Sequence, residues 1–193
     1  MTVCISENYK PMFECLKSVY DDKENLKYKP ILTYIFYDKE RENLVATNGK
    51  SMLIYTVSPE LKEFLNQFED VFFRYEKGYL TDYKSDKNYV SWWRVVPSKE
   101  ECLISNVEIV YPNLSYSAKR ESDKDIHYYN FAYAMRPGYI YCHKYFKKLD
   151  IRFDRVKHYE YGKGKVYCIF ENADTMFLIM NMRIKTKEAW KWK

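Results

Sequence analysis

Two spacings of apolar residues run along this chain, and each predicts its own kind of element. Met12, Phe13, Leu16, Val19 and Tyr20 recur at helical spacing, so one face of this segment is apolar and Ser6 or Asn8 is placed to cap it. Pro11 is compatible because it falls in the first turn. A short strand is expected over Thr2 to Ile5, and the polar stretch DDKENLKYK after the helix reads as a loop. A strand over Ile31 to Tyr37 and a charged turn, DKEREN, lead to Leu44 to Val57, LVATNGKSMLIYTV. There two apolar runs meet at Asn48-Gly49, residues that tolerate positive φ, and the pair predicts a type I′ hairpin. Residues 1–57 therefore read β-α-β-β-β.

Helix followed by strands then recurs. Ser58 as N-cap with Pro59 at the first helical position starts a second helix, whose apolar stripe is Leu61, Phe64, Leu65 and Phe68. Strands follow at Val71 to Tyr75, at Tyr79 to Tyr83 across a Lys77-Gly78 turn, and at Tyr89 to Val96 before Pro97. Trp92 and Trp93 alternate across that last strand, one ring inward and one outward, and the outward ring is a candidate interface anchor. Residues 98–136 are strand-like, with strands at Leu103 to Val110 and Ile126 to Met135. Beyond Pro137-Gly138 come a short helix over Cys142 to Leu149 and strands at Ile151 to Tyr161, Lys165 to Glu171 and Thr175 to Ile184. Gly162-Lys163-Gly164 and Asn172 to Asp174 supply the turns between them. The fold class expected from this recurrence is α+β, with each helix laid against one face of an antiparallel sheet. Units of this kind leave strand edges open, so pairing between units or between subunits is expected.

Composition narrows the function classes. The chain has 193 residues, of which 47% are hydrophobic and 31% charged, the balance of a folded chain able to bury a core. No apolar run approaches the roughly 20 residues of a membrane span, and MTVCISENYK lacks a signal-peptide core, so no membrane partner and a cytoplasmic location are expected. Five cysteines, Cys4, Cys15, Cys102, Cys142 and Cys168, are scattered without C-x-x-C spacing, and the three histidines form no ligand set with them. Reduced thiols, no metal site and no cofactor are expected. The net charge of +5 permits an acidic partner without identifying one. The 21 tyrosines, with plentiful Lys, Asn, Phe and Ile, match the codon bias of an AT-rich bacterial or phage genome, so aromatic abundance is poor evidence for base stacking. There is no Gly-rich phosphate loop, no G-x-S-x-G and no H-E-x-x-H, and the acidic pairs Glu100-Glu101 and Asp21-Asp22 lie in solvated stretches. No catalytic residues are expected, and a small nuclease lacks its carboxylate cluster.

Three segments, in order, resemble the bacterial DNA polymerase sliding clamp, the β subunit of the replicase. Ala46-Thr47-Asn48-Gly49-Lys50-Ser51-Met52 is similar to that family's A-T-D-G-H-R-L hairpin, and YVSWWRVVP at Tyr89 to Pro97 to its F-P-D-Y-R-R-V-L-P junction. Phe177 to Ile184, FLIMNMRI, is similar to its C-terminal Y-V-V-M-P-M-R-L. The chain departs from the pattern at Asn48, Ser51 and Asn181, and it is much shorter than the three-domain family chain. The resemblance implies a shortened or divergent clamp, in which residues 1–97 form one clamp-like domain of two units and 98–184 a shortened second one. Residues 185–193, KTKEAWKWK, are then a basic tail carrying Trp190 and Trp192, placed to fold back as a built-in competitor. Whether 98–140 is a degenerate unit or an insertion stays open.

What the resemblance implies for function is a processivity factor without chemistry of its own. It would encircle or contact double-stranded DNA nonspecifically, as a homo-oligomer, and tether replicative polymerase or clamp-loader peptides through a cleft. One cleft wall would comprise Thr47, Gly49 and Met52, and the other Met180, Met182 and Arg183. Methionines suit an adaptable apolar groove and Arg183 a peptide carbonyl or carboxylate. Met180 and Met182 share a strand face, so a core role for them stands beside the cleft role. Candidate phosphate contacts are Lys10 and Lys17 on the first helix, Lys62 on the second, and Lys144, Lys147 and Lys148 on the third. The alternative is a non-ring clamp-related module that binds replication proteins without encircling DNA.

Overall fold

The structure is a computed structural model, and it describes residues 1–20, 29–96, 102–108, 115–119, 125–130, 140–142, 149, 151, 153, 155–161 and 165–180. The class is α+β. In chain order the elements are β1 (Thr2–Cys4), α1 (Lys10–Tyr20), β2 (Ile35–Asp38), β3 (Asn43–Thr47), β4 (Ser51–Thr56), α2 (Pro59–Leu65), β5 (Phe72–Glu76) and β6 (Tyr79–Tyr83). There follow β7 (Cys102–Glu108), β8 (Ser115–Lys119), β9 (Asp125–Asn130), β10 (Ile140–Cys142), β11 (Arg155–Tyr161), β12 (Lys165–Glu171) and β13 (Thr175–Met180). Ten strands form one antiparallel sheet in the order β1-β6-β5-β2-β3-β4-β13-β12-β11-β7, and β10-β9-β8 form a second, three-stranded one.

The large sheet is apolar on both faces near its middle. Leu44, Val45 and Ala46 on β3 and Met52, Leu53 and Ile54 on β4 are all buried, which is why these strands read as continuous apolar runs rather than as alternation. Alternate residues still divide between the faces. Leu44, Ala46, Leu53, Phe73, Tyr75, Phe177 and Ile179 pack with both helices, α1 contributing Phe13, Leu16 and Val19 and α2 contributing Leu61 and Leu65. Val45, Met52, Ile54, Phe72, Ile169 and Leu178 face the other way, against Leu32, Tyr89 and Trp92. Both described α-helices thus lie on one face, and the opposite face is covered by the segments before β2 and after β6.

Local chemistry explains these elements. Pro11 stands in the first turn of α1, and the five apolar positions expected there are all buried. Phe13 stacks on Tyr75 at 5.7 Å, and the Tyr20 hydroxyl donates to the Tyr75 carbonyl at 3.3 Å and accepts from its N–H at 3.2 Å, taking the place of a strand neighbour. Ser58 caps α2 by accepting from the Leu61 N–H at 3.3 Å, with Pro59 at the first helical position. Lys77 and Gly78, both at positive φ (50° and 87°), close the β5–β6 hairpin as its tight turn requires.

Several expectations are corrected. Residues 30–33 form a 3-10 turn rather than the start of a strand, because Pro30 begins a helical turn that the Thr33 hydroxyl fastens by donating to the Pro30 carbonyl at 2.7 Å. Trp92–Arg94 is likewise a 3-10 turn, not a strand. One indole is still inside and the other half-exposed, but a helical turn produces this. β8 was not anticipated, and Cys142 ends a strand rather than opening a helix. The expected helix beyond it and the turn at 162–164 lie outside the described residues.

Because Leu53 is wholly buried between β3, β13 and the helices, Leu53→Ala should cost about 2–5 kcal/mol. The check is the shift of the urea midpoint at unchanged m-value.

Candidate interaction site

The hairpin tip is held by its own side chains. Of its residues only Gly49 has positive φ, 81°, so the expected type I′ turn with Asn48 and Gly49 at its centre is not what forms. Asn48 and Ser51 instead flank Gly49 and Lys50. The Asn48 N–H donates to the Ser51 carbonyl at 3.2 Å, and the Asn48 Oδ1 accepts from the N–H groups of Lys50 and Ser51 at 2.9 and 2.8 Å. The Thr47 hydroxyl, also buried, donates to the Ser51 carbonyl at 2.7 Å and accepts from the Gly49 N–H at 3.1 Å. A side chain that bonds nearby backbone replaces the turn hydrogen bond, so the asparagine sets this loop as much as the glycine does. Asn172 repeats the device at the start of β13, its Oδ1 accepting from Asp174 and Thr175 N–H groups at 3.1 and 2.8 Å.

β13 lies directly against this hairpin. Its register with β4 runs from Thr175 opposite Tyr55, through Leu178 opposite Met52, to Ile179 opposite Ser51. Met180, the last described residue of β13, pairs with Tyr167 on β12 and stands next beyond Ile179, toward the hairpin tip. Thr47, Gly49 and Met52 are therefore neighbours of one another and of the β13 end. Met52 is 5% exposed, packed as a floor with Leu178, Tyr89 and Trp92. Met182 and Arg183 lie outside the described residues, as do Lys144, Lys147, Lys148 and the 185–193 tail.

A third segment, expected as a strand with one outward indole, also lies at this floor. Residues 89–96 lie across the helix-free face, with Tyr89 stacked on Phe36 at 4.8 Å and Trp92 buried. They leave Val90, Trp93 and Val95 outward at 36%, 39% and 47% exposure. Asp38 pins this ridge: its buried carboxylate accepts from the Trp92 Nε1–H at 2.8 Å and from the Arg41 backbone N–H and guanidinium at 3.1 and 3.3 Å. Arg41 in turn lies 3.9 Å above the Trp93 ring. The signal was present in YVSWWRVVP, but read as a strand the segment placed its valines by alternation.

The lysines expected to meet phosphate are placed as follows. Lys10 pairs with Glu7, Lys62 pairs with Glu42, and Lys17 stands in the last turn of α1. Hydrogen bonding to Glu7 and Glu42, respectively, raises the pKa of each paired ammonium. Burial raises the pKa of the Tyr89 phenol, whose buried hydroxyl has no partner at hydrogen-bond geometry. Burial and Glu14 push Tyr75 up to about 12.

Two variants test this arrangement. Asn48→Ala removes the acceptor of two backbone N–H groups and should lower stability by about 1–2 kcal/mol, with Asn48→Asp losing much less; chemical denaturation reads both. Tyr89→Phe removes an unpartnered buried hydroxyl, so at pH 7 stability should stay level or rise by up to about 1 kcal/mol. A phenol raised by folding contributes stability that is complete below its unfolded value near 10 and is lost as pH climbs above it. Thermal melts from about pH 9 to about pH 11.5 should accordingly fall less steeply for Tyr89→Phe than for the parent.

No family model matches the chain, and no curated protein does. Among solved structures it is similar to the DNA polymerase III beta chain of Streptococcus pneumoniae (14% identity, TM-score 0.48, covering 95% of this chain and 64% of that one). It is also similar to the beta subunit of Thermotoga maritima (11%, 0.47, 96% and 65%) and to that of Borrelia burgdorferi in complex with a natural product (13%, 0.42, 96% and 63%). The chain spans less than two thirds of the length of each.

Proposed function

We propose that this chain is a clamp-type scaffold: a processivity factor that contacts duplex DNA through its helix side and holds short peptides of replication proteins on its helix-free side. The observation that carries the reading is the register of β4 with β13, in which Met52 stands opposite Leu178. It brings the A-T-N-G-K-S-M hairpin beside the FLIM strand, two segments more than a hundred residues apart whose sequences separately resemble the sliding-clamp family. The floor they share, with the 89–96 ridge beside it, suits an extended peptide whose apolar side chains are buried against Met52 and Leu178. Thr47 shapes the wall, since its hydroxyl serves the loop. The scaffold performs no chemistry; tethering raises the local concentration of the bound enzyme at its template.

DNA contact is assigned to Lys10, Lys17 and Lys62 and to the 144–148 cluster, on a homo-oligomer closed around the duplex. Nonspecific phosphate contacts would let such a ring slide. The pairing of Lys10 with Glu7 and of Lys62 with Glu42 favours a second reading, a module that keeps the peptide site without encircling DNA.

One experiment has two arms. A clamp-binding peptide from a replicative polymerase should be retained by the parent chain and at least about tenfold less well by Met52→Ala, a loss of about 1.4 kcal/mol. Failure of the parent to retain it removes the peptide site. On circular DNA the ring predicts retention that disappears on linearisation; equal behaviour on both forms leaves the module.

A further inference from the structure

Two arginines lie against aromatic rings, and they differ in what else holds them. On β5, alternation turns Phe73 and Tyr75 toward the helices and puts Phe72, Arg74 and Glu76 on the helix-free face, with β2 standing between this strand and the hairpin. The half-buried Arg74 guanidinium lies 4.6 Å from the centre of the Tyr34 ring and 5.4 Å from that of Tyr83, and the two rings are themselves 5.4 Å apart. Its Nη2–H donates to the Thr33 hydroxyl at 3.1 Å, and that hydroxyl is fastened to the Pro30 carbonyl. Arg41 also lies on a ring, but the carboxylates of Asp38 and Glu40 neutralise it. Among the described residues no carboxylate pairs with Arg74, and one of its five N–H donors has a protein acceptor. Drawing a cation partly out of water costs free energy that a counter-charge offsets, and here the counter-charge is missing.

We propose that Arg74 receives one acidic side chain, an aspartate or glutamate, presented by a segment of a partner protein. Stacking occupies the face of the guanidinium and leaves its N–H edge, the edge that grips a carboxylate through two parallel hydrogen bonds. The rings and Thr33 fix the plane of that edge, so little rotamer freedom remains to be lost on binding. Thr81 stands opposite Arg74 on β6, and its hydroxyl is 3.0 Å from that of Thr2, which puts further hydroxyl groups on the same face. One cation matches one carboxylate. A nucleic-acid strand needs a row of cations, and the next residue on this face of β5 is Glu76, whose carboxylate repels phosphate. The proposal stands apart from the clamp reading, since it uses none of Met52, Leu178 or the 89–96 ridge.

The probe is the peptide acetyl-Ala-Glu-Ala-amide, titrated into the full chain while the Arg74 Nε–H is followed by NMR, its signal assigned by its absence from Arg74→Lys. The signal should shift saturably, and the glutamine counterpart of the peptide should bind at least about tenfold more weakly. Arg74→Lys keeps the charge and loses the planar edge, so its affinity for the glutamate peptide, read from the Thr81 backbone amide, should fall at least about fivefold. Met52→Ala should bind the peptide as the parent does. No shift, equal binding of the glutamine peptide, unchanged affinity in Arg74→Lys, or loss of binding in Met52→Ala overturns the proposal. So does a hexathymidylate that moves the signal at lower concentration than the glutamate peptide, because the occupant is then nucleic acid. Movement of the signal with no peptide added, in the triple variant Asp21→Asn, Asp22→Asn, Glu24→Gln, overturns it too, because the occupant is then the chain's own acidic segment.

Discussion

The pairing of β4 with β13 is the contact on which the rest of this molecule depends. Removing it would divide the ten-stranded sheet into one part ending at β4 and another beginning at β13, each with a new apolar edge. Both strands are buried on both sides: Leu53, Phe177 and Ile179 face the helices, while Met52, Ile54 and Leu178 face the covering segments. Backbone pairing here is therefore made where water is excluded, and an unmade hydrogen bond carries its full desolvation cost.

The two faces are covered by different means. On one, helices bring ready-made apolar stripes, and a single hydroxyl, that of Tyr20, serves both backbone groups of Tyr75. On the other, irregular chain does the covering, and its backbone has no ladder of its own. A buried carboxylate compensates. Asp38 gathers an indole, a backbone N–H and a guanidinium, so that a segment without regular structure still has a defined position. The exposed valines and Trp93 of that segment thus project from a fixed base. Binding to such a surface loses less ordering entropy than binding to a loose one.

Much of this was legible in the sequence, because helical spacing and turn chemistry are local. The face of α1, the Ser58-Pro59 start of α2, the Lys77-Gly78 turn and the Asn172 turn each follow from residues within one or two turns of chain. What was not legible depended on distant partners. Tyr89 to Val96 has the composition of a strand, but Trp92 finds its partner in Asp38, far back in the chain, and a 3-10 turn delivers the indole there. At the hairpin, Asn-Gly signalled a turn correctly, while its type was decided by where the Asn48 side-chain Oδ1 could reach. The adjacency of the hairpin to the end of β13 rests on strand register, which no local pattern specifies. Of the ridge at 90–95, an outward indole was expected and Trp93 supplies it, whereas outward Val90 and Val95 were not legible because a 3-10 turn forms where a strand was expected.

The paired asparagine turns have a consequence for how this sheet tolerates change. β4 begins at the turn held by Asn48 and β13 at the turn held by Asn172, and antiparallel pairing places these two turns at opposite ends of the same ladder. The register of the central strands is thereby pinned from both ends. Since side chains alternate with a period of two, a slip of one residue would exchange the helix-facing set for the covered set. Large rings such as Phe177 would then be driven beneath the irregular segment, and Met52 and Leu178 under the helices. Single-residue insertions in these two strands should thus be far rarer among relatives than insertions in the loops, and a paired insertion, one in each strand, is the form in which length variation can enter.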